Sequence, residues 1–488
     1  MQLNELPDDI LWHIVSQLSV RDIIRIRQVS PLKSYIFASP SHSHPACQTS
    51  KQFRDITLVR PIWDHSYRTC SVIRPQGPFS TQSAKELEDI LVRSEKCEAA
   101  WKSPTAPLPV SRRAFKKGLH GRCVMSLILG RWLLIGTENL LQCYDLDAAN
   151  AWDEPVMQQQ SESIRYKNFQ GLTATTSAGA QAAYLVVCDD QFLRIYHLHL
   201  PPTANSDLEM ILQQPLASSD NITACIEGDF LVLTYLSSSI HTLINLATRA
   251  RFTTTTPRCV SIPLLLLIDP ELLDMDMVVA QAIITPTHLL VVHARMSHGA
   301  WIAAMPLPDA SVTTDSELSV SHTVRTRWMW NLKLWHSEPS RFILLDVRSD
   351  ELYDSGDSMR FLECHLEDDG LIRVAVMHSL KLEVSVNPQA DGLEATWLPN
   401  ITSLYLTVGR DAGVDARGVF FEAGRAWAIC VTSCDDASEP PMRVEVCRGP
   451  VVNVQPTWLR TSFDGYRGRL IHSLSGDMED GVAILDFT

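Results

Sequence analysis

The side chains able to do chemistry are spread thinly along this 488-residue chain. His42, His44 and Cys47 come nearest to a metal-ligand spacing. They sit in the polar, turn-rich stretch SPSHSHPACQTS, however, and fall short of the four donors of a structural zinc set. His197 and His199 alternate along a strand-like run beside Asp189 and Asp190 and read as same-face histidines at a strand edge. Glu367 and Asp369 precede Gly370, which is the pattern of a hairpin turn rather than of an acid–base pair. Arg112, Arg113, Lys116 and Lys117 form the one basic cluster, read as a solvated strand, with a short nuclear address as the alternative. No Gly-x-Gly-x-x-Gly, Walker-type phosphate loop, Gly-x-Ser-x-Gly elbow or His-Glu-x-x-His occurs. No catalytic residue, cofactor or metal ligand is therefore assigned, and the chain is expected not to be an enzyme.

Composition narrows the partners. A formal charge of -14 speaks against nucleic acid, whose phosphates need a basic face. The start, MQLNELPDD, is acidic where a signal peptide would be basic. The longest apolar run, around Ile262–Ile268, is far short of the ~20 residues that span a bilayer. The expectation is a soluble protein of the cytoplasm or nucleus that binds neither membrane nor nucleic acid. Its twelve cysteines form no Cys-x-x-Cys pair and suit buried small hydrophobes. Of its ten lysines only Lys333 and Lys381 lie beyond residue 167, a bias read as a preference for arginine.

The stretch that demands a partner is LPDDILWHIVSQLSVRDIIRIRQVS, Leu6–Ser30. Pro7 suits the first position of a helix, and Asp8 and Asp9 put negative charge on its first turn. Ile10, Ile14 and Leu18 recur every four residues with Leu11 and Val15 beside them, which predicts one apolar helical face. Ser19-x-x-Asp22 predicts a stop and a restart. In the second helix Ile23, Ile26 and Val29 carry the apolar face, while Arg21, Arg25 and Arg27 are expected in water. Two short helices cannot bury that much aliphatic surface against each other.

This string resembles the F-box: Leu-Pro, then Ile10, Ile14 and Leu18, then SVRDIIRIRQVS with Asp22, Ile26 and Val29. F-box modules dock on the Skp adaptor of cullin-based ubiquitin ligases. The resemblance thus implies a substrate receptor that contacts the adaptor, and through it cullin, by Leu6, Pro7, Ile10, Ile14, Leu18, Ile26 and Val29. The pattern departs at Pro31, which cannot continue a helix. Phe53-Arg54-Asp55-Ile56 looks like the delayed closing aromatic of a third helix interrupted by 39–50. Either a loop interrupts that helix or the segment is foreign to the module.

Three regions follow: an F-box at 1–56, a Pro-rich segment with a linker helix at 57–110, and a large β domain at 111–488. Residues 57–80 read as irregular, with Trp63, Tyr67 and Phe79 as anchors. Ser83-x-x-Glu86 caps a helix over 83–102 whose Leu87, Ile90, Leu91, Cys97 and Trp101 share a face. It is either a strut or a helix lying flat on the β domain. Beyond residue 120, seven pairs of strand-like runs recur at intervals of roughly 40 to 80 residues, from RWLLIG/LLQCYDL to GRLIHSL/GVAILDF. Such a period in strand-only sequence predicts a propeller, read as seven-bladed, with 371–408 able to conceal an eighth blade. Its closing YDL and LDF resemble WD-repeat blades.

The fold class expected is mainly β: a small all-α F-box module and linker helix, then the propeller. A ring needs its edges closed, so Pro107–Phe115 is expected to fill the outer place of the last blade. The whole resembles the fungal type of F-box protein with a C-terminal WD-like propeller. The leading function is substrate recognition for a Skp–cullin–F-box ligase. The alternatives are a propeller scaffold with a degenerate F-box and, further off, a propeller-fold hydrolase.

Overall fold

The computed structural model describes residues 6–27, 54–75, 77–101, 111–115, 124–148, 154–161, 164, 166, 168–175, 181–189, 191–202, 208–216, 222–235, 240–255, 278–295, 299–326, 331–338, 340–348, 358–381, 403–408, 416–422, 425–433, 442–451, 461–474 and 481–487. His42, His44, Cys47, Val29, Pro31 and Phe53 lie outside them.

The helices come first among the described residues: α1 (Asp8–Ser16), α2 (residues 20–27), α3 (Arg60–Thr69) and α4 (Ala84–Trp101), with a further helical stretch at 54–56 ahead of α3. Pro7 stands one place earlier than expected, at the N-cap, where its carbonyl accepts the N–H groups of Ile10 and Leu11 at 3.1 Å. The Ser19–Asp22 cap forms: the Asp22 N–H donates to Ser19 Oγ at 3.2 Å, and that hydroxyl donates back to the carboxylate at 2.8 Å. The irregular segment expected at 57–80 is wrong in its first half, because α3 occupies it. Its Pro61 stands in the first turn, the one place where a missing N–H costs nothing, so Ile62, Trp63, Ser66 and Tyr67 form a buried face. Together Val15, Val20, Ile23, Ile62, Trp63, Tyr67, Leu87 and Leu91 make the helical core.

Strand β1 (Ser111–Phe115) precedes the ring. Blade one is β2 (Val124–Ile128), β3 (Trp132–Gly136), β4 (Leu140–Asp145) and β5 (Met157–Gln160). Blade two is β6 (Asn168–Thr175), β7 (Gln181–Cys188), β8 (Phe192–Leu198) and β9 (Glu209–Pro215). Blade three is β10 (Ile222–Glu227), β11 (Phe230–Tyr235), β12 (Ile240–Asn245) and β13 (Arg251–Thr255). Blade four is β14 (Val278–Ile284), β15 (His288–Arg295), β16 (Gly299–Pro306) and β18 (His322–Thr326). The short β17 (Ser316–Glu317) leaves it to pair with β13, covering that edge of blade three. Blade five is β19 (Asn331–Glu338), β20 (Arg341–Arg348), β21 (Ser358–Leu366) and β22 (Ile372–Lys381). Blade six is β23 (Ser403–Val408), β24 (Ala416–Glu422), β25 (Arg425–Ser433) and β26 (Met442–Val451). Blade seven is β27 (Thr461–Asp464), β28 (Arg469–Leu474) and β29 (Gly481–Asp486), completed by β1.

The described residues therefore make seven blades; of the 371–408 stretch, Ile372–Lys381 is the last strand of blade five and Ser403–Val408 the first of blade six, while 382–402 lie outside the described residues. In blades one to five, and in the seventh, the paired runs of the sequence are the second and third strands. In blade six they are the third and fourth. The ring closes as expected: β1 runs antiparallel to β29, Ser111 opposite Asp486 through Phe115 opposite Val482.

Alternation explains why the central strands read as unbroken apolar runs. Leu134 faces the seam with blade two and Leu133 the seam with blade seven; Leu231 faces blade two and Val232 blade four. Leu289 and Leu290 divide in the same way between the seams to blades three and five. Both faces of such strands are sealed, each side chain contributing about 1.5–3 kcal/mol. The cysteines behave as small hydrophobes: Cys143 and Cys364 are buried free thiols, and burial pushes each up to about 12. Glu367–Gly370 is the hairpin turn expected, its Gly370 N–H donating to the Glu367 carbonyl at 2.8 Å.

Candidate functional site

Helix α1 divides its aliphatic residues between two faces. Leu11 and Val15 are fully buried, and Val15 packs into the core with Trp63, Tyr67, Leu87 and Leu91. Ile10 and Ile14 point the other way and stay 44% and 37% exposed. The single apolar face expected over Ile10, Leu11, Ile14, Val15 and Leu18 is thus a sealed half and an open half. Pro7 is exposed and Leu6 and Leu18 are half-buried, while Ile26 on α2 is also half-buried. Val29 lies outside the described residues. Ile23, placed with Ile26 on one face, instead goes wholly into the core.

Arg27 was expected in water and is not there. Its guanidinium donates to Thr57 Oγ1 at 2.8 Å, to the Thr57 carbonyl and to Glu88 at 2.7 Å, and lies 5.2 Å from the Trp63 ring centre. The Trp63 indole N–H donates to the same Thr57 carbonyl at 2.8 Å. Trp63 is therefore the buried aromatic at the centre of the module. A sequence scan sees the charge of Arg27 but not Glu88, sixty-one residues further on. The support beneath Ile10 and Ile14 is consequently a fixed core rather than a loose hairpin.

Helix α4 joins this core to the propeller, so the two readings of it, strut and flat-lying helix, are both met, one at each end. Its start carries the expected capping box: the Ser83 N–H donates to Glu86 at 2.7 Å and the Glu86 N–H to Ser83 Oγ at 3.2 Å. Leu87 and Leu91 belong to the helical core. At the other end the Trp101 ring lies 5.8 Å from Phe463 and 5.9 Å from Phe487, and Cys97 Sγ lies 3.4 Å from the Gly465 carbonyl.

Between them runs a set of ion pairs that no local motif announces. Arg417, fully buried on β24, donates to Glu98 on α4 at 3.2 Å, to the Gly465 carbonyl at 3.2 Å and to the Ile73 carbonyl at 3.4 Å. Asp147 accepts from Arg93 of α4 at 2.9 Å, and also from Arg467 and Arg469. Burial alone would raise the Asp147 carboxyl. The charges and hydrogen bonds of Arg467 and Arg93 outweigh burial and hold it well below the usual carboxylate range. Asp486, the aspartate of the closing LDF, accepts from Arg469, Arg113 and Ser111, tying β1 to the last blade. Arg113, read as part of a solvated basic strand, is thereby half-buried in a pair. The aspartate of YDL, Asp145, accepts two bonds from Arg131 at 2.8 and 2.7 Å and one from the Asp147 N–H at 3.1 Å. The turn between β2 and β3 seats against this seam: Gly130, at φ +63°, puts its carbonyl 2.6 Å from Arg469, where any Cβ would strike Asp464 and Arg467.

Residues 3–32 match the model of the F-box domain. A search of curated proteins finds no match. Among solved structures, the WD40 domain of SCAP from fission yeast aligns at 9% identity over 74% of this chain and 84% of that one, TM-score 0.38. The Nup133 β-propeller domain of Vanderwaltozyma polyspora aligns at 9% identity over 77% and 97%, TM-score 0.44. Extracellular domains 1–2 of Drosophila Semaphorin 1b align at 9% over 78% and 87%, TM-score 0.41. Fold and site define an F-box module standing in front of a β-propeller. The chain thus carries an F-box domain at residues 3–32 ahead of a β-propeller. No helix among the described residues is long and apolar enough to cross a membrane.

Proposed function

We propose that this chain is the substrate-recognition subunit of a Skp–cullin–F-box ubiquitin ligase. The F-box binds the Skp adaptor, and cullin through it, while the propeller binds a target protein in the cytoplasm or nucleus. The observation that carries this reading is the open half of α1: Ile10 and Ile14 stand exposed on a helix whose other face is anchored in a finished core. Leu6, Pro7, Leu18, Ile26 and Val29 extend the contact. A few side chains fully desolvated near the centre of an interface carry most of its energy.

The chain then contributes no bond-making step of its own. It raises the effective concentration of a target lysine at the ubiquitin-charged partner enzyme. Helix α4 supports that role, since packing at both of its ends holds the target-binding ring at a set distance from the docking face. Its 18 residues span about 27 Å. The net charge of -14 favours basic targets.

The test is co-purification of the Skp adaptor with wild-type chain and with Ile10→Asp/Ile14→Asp. Wild type captures the adaptor and the double variant does not, at unchanged melting temperature. Retained capture by the folded double variant removes this face from the interface. A wild-type chain that captures no adaptor leaves a scaffold with a degenerate F-box in its place.

A further inference from the structure

Blade two carries a second site, unrelated to the docking face. His197 near the end of β8 and His199 just beyond it are two residues apart on an extended chain, so their side chains leave on the same side. Opposite His197 on β9 stands Glu209. That pairing depends on an irregularity. Ile195 pairs with Leu212, but the next residue, Tyr196, pairs with Met210, so Ile211 is the extra residue of a β-bulge. Without the bulge Met210 would face His197 and Glu209 would turn to the other side of the sheet. The bulge thus brings a carboxylate to two imidazoles. The sequence offered Asp189 and Asp190 as neighbours of this pair, yet Asp189 is committed to Arg194 and to the N–H groups of Gln191 and Phe192.

The donor atoms converge. His197 Nδ1 lies 3.6 Å and His199 Nε2 4.0 Å from Glu209 Oε2, and one ligand atom from each of the three lies within 4.8 Å of the others. The two rings meet edge to face at 4.5 Å. Neither contact to the carboxylate is short enough for a hydrogen bond. A tetrahedral ion with bonds of about 2.0–2.1 Å holds its ligand atoms roughly 3.3 Å apart, so small side-chain rotations close the set. Beside it opens a cavity of about 310 Å³ walled by Tyr184, Ile211, Leu246 and Arg249, with room for water at a fourth position.

We propose that His197, His199 and Glu209 bind a divalent transition-metal ion of the zinc class, three protein ligands leaving one position open. Two imidazoles and one carboxylate suit zinc among the common ions, where magnesium or calcium would call for oxygen alone.

The experiment uses the full chain, stripped of metal with a chelator and titrated with Co²⁺ as the spectroscopic substitute for Zn²⁺. One equivalent of Co²⁺ gives visible d–d absorption without a thiolate charge-transfer band, and one equivalent of Zn²⁺ abolishes it. His199→Gln and Glu209→Gln each weaken binding by about 100-fold or more, since outer-shell losses alone cost 10–100-fold. Both side chains are mostly exposed, 59% and 63%, so these variants keep the fold of wild type and the melting temperature checks it. The half-buried His197→Gln is a third variant. No 1:1 spectrum, a thiolate band, or equal affinity in wild type and both exposed-site variants overturns the proposal.

Discussion

The helical module meets its surroundings in two opposite ways. At α1 it leaves aliphatic surface open; at the far end of α4 it closes a seam of paired charges and tilted aromatic rings. An apolar face can be covered and uncovered at low cost, because water and a partner compete for it without leaving an ion unsatisfied. A buried ion pair is different: losing one member strands the other in a poor dielectric. On the proposed docking, the exchangeable contact lies at one end of the module and the permanent contact at the other.

Breaking the exchangeable contact gives the largest effect. On the proposed docking, Ile10→Asp/Ile14→Asp removes two anchors, each worth about 2 kcal/mol or more, so adaptor affinity measured by titration falls about a thousandfold while the melting curve stays put. The permanent contact responds in the reverse sense. Arg417→Ala removes the buried guanidinium that Glu98 and the Gly465 and Ile73 carbonyls accept from and lowers unfolding free energy by about 3 kcal/mol in denaturant titration, with adaptor affinity unchanged.

Asp147→Asn sharpens the comparison through pH. The folded-state pKa of Asp147 lies below its unfolded value of about 3.9. Its contribution is therefore complete above that value and is lost as pH falls through the folded one. Wild type exceeds the variant in stability by about 2 kcal/mol at neutral pH, and the two converge below pH ~4. Asp464, whose carboxyl burial pushes up, titrates in the opposite sense, so the difference between wild type and variant is the quantity to follow. Smallest is Ser83→Ala, which removes the α4 cap and costs about 1 kcal/mol by chemical denaturation.

The same contrast governs what a reader of the sequence could see. Blades were legible because both faces of each central strand are sealed, so Leu133–Ile135 or Leu231–Leu233 appear as unbroken apolar runs bounded by turns. The Ser19 and Ser83 caps were legible because both partners lie within three residues. Blade six was mis-registered because β24, ARGVFFE, carries a glycine and an arginine; only the fold shows that Arg417 is buried beneath α4. Helix α3 was missed because a proline ends helices as often as it begins them. On α1 the spacing marked Ile10, Leu11, Ile14 and Val15 equally, and only the position of Trp63 and Tyr67 decides which two turn inward. The Glu209–His197 pairing rests on a bulge, which leaves no trace in a pattern of period two.

The clasp between β1 and β29 also sets the order of assembly. Ser111–Phe115 leaves the ribosome well before Gly481–Asp486, the strand it must grip, so six blades and the docking helices emerge while the seventh still waits. A product halted anywhere in that interval carries the F-box helices on an unlatched ring. On the proposed function, completion of β29 is the step that separates a competitor for the ligase from a receptor.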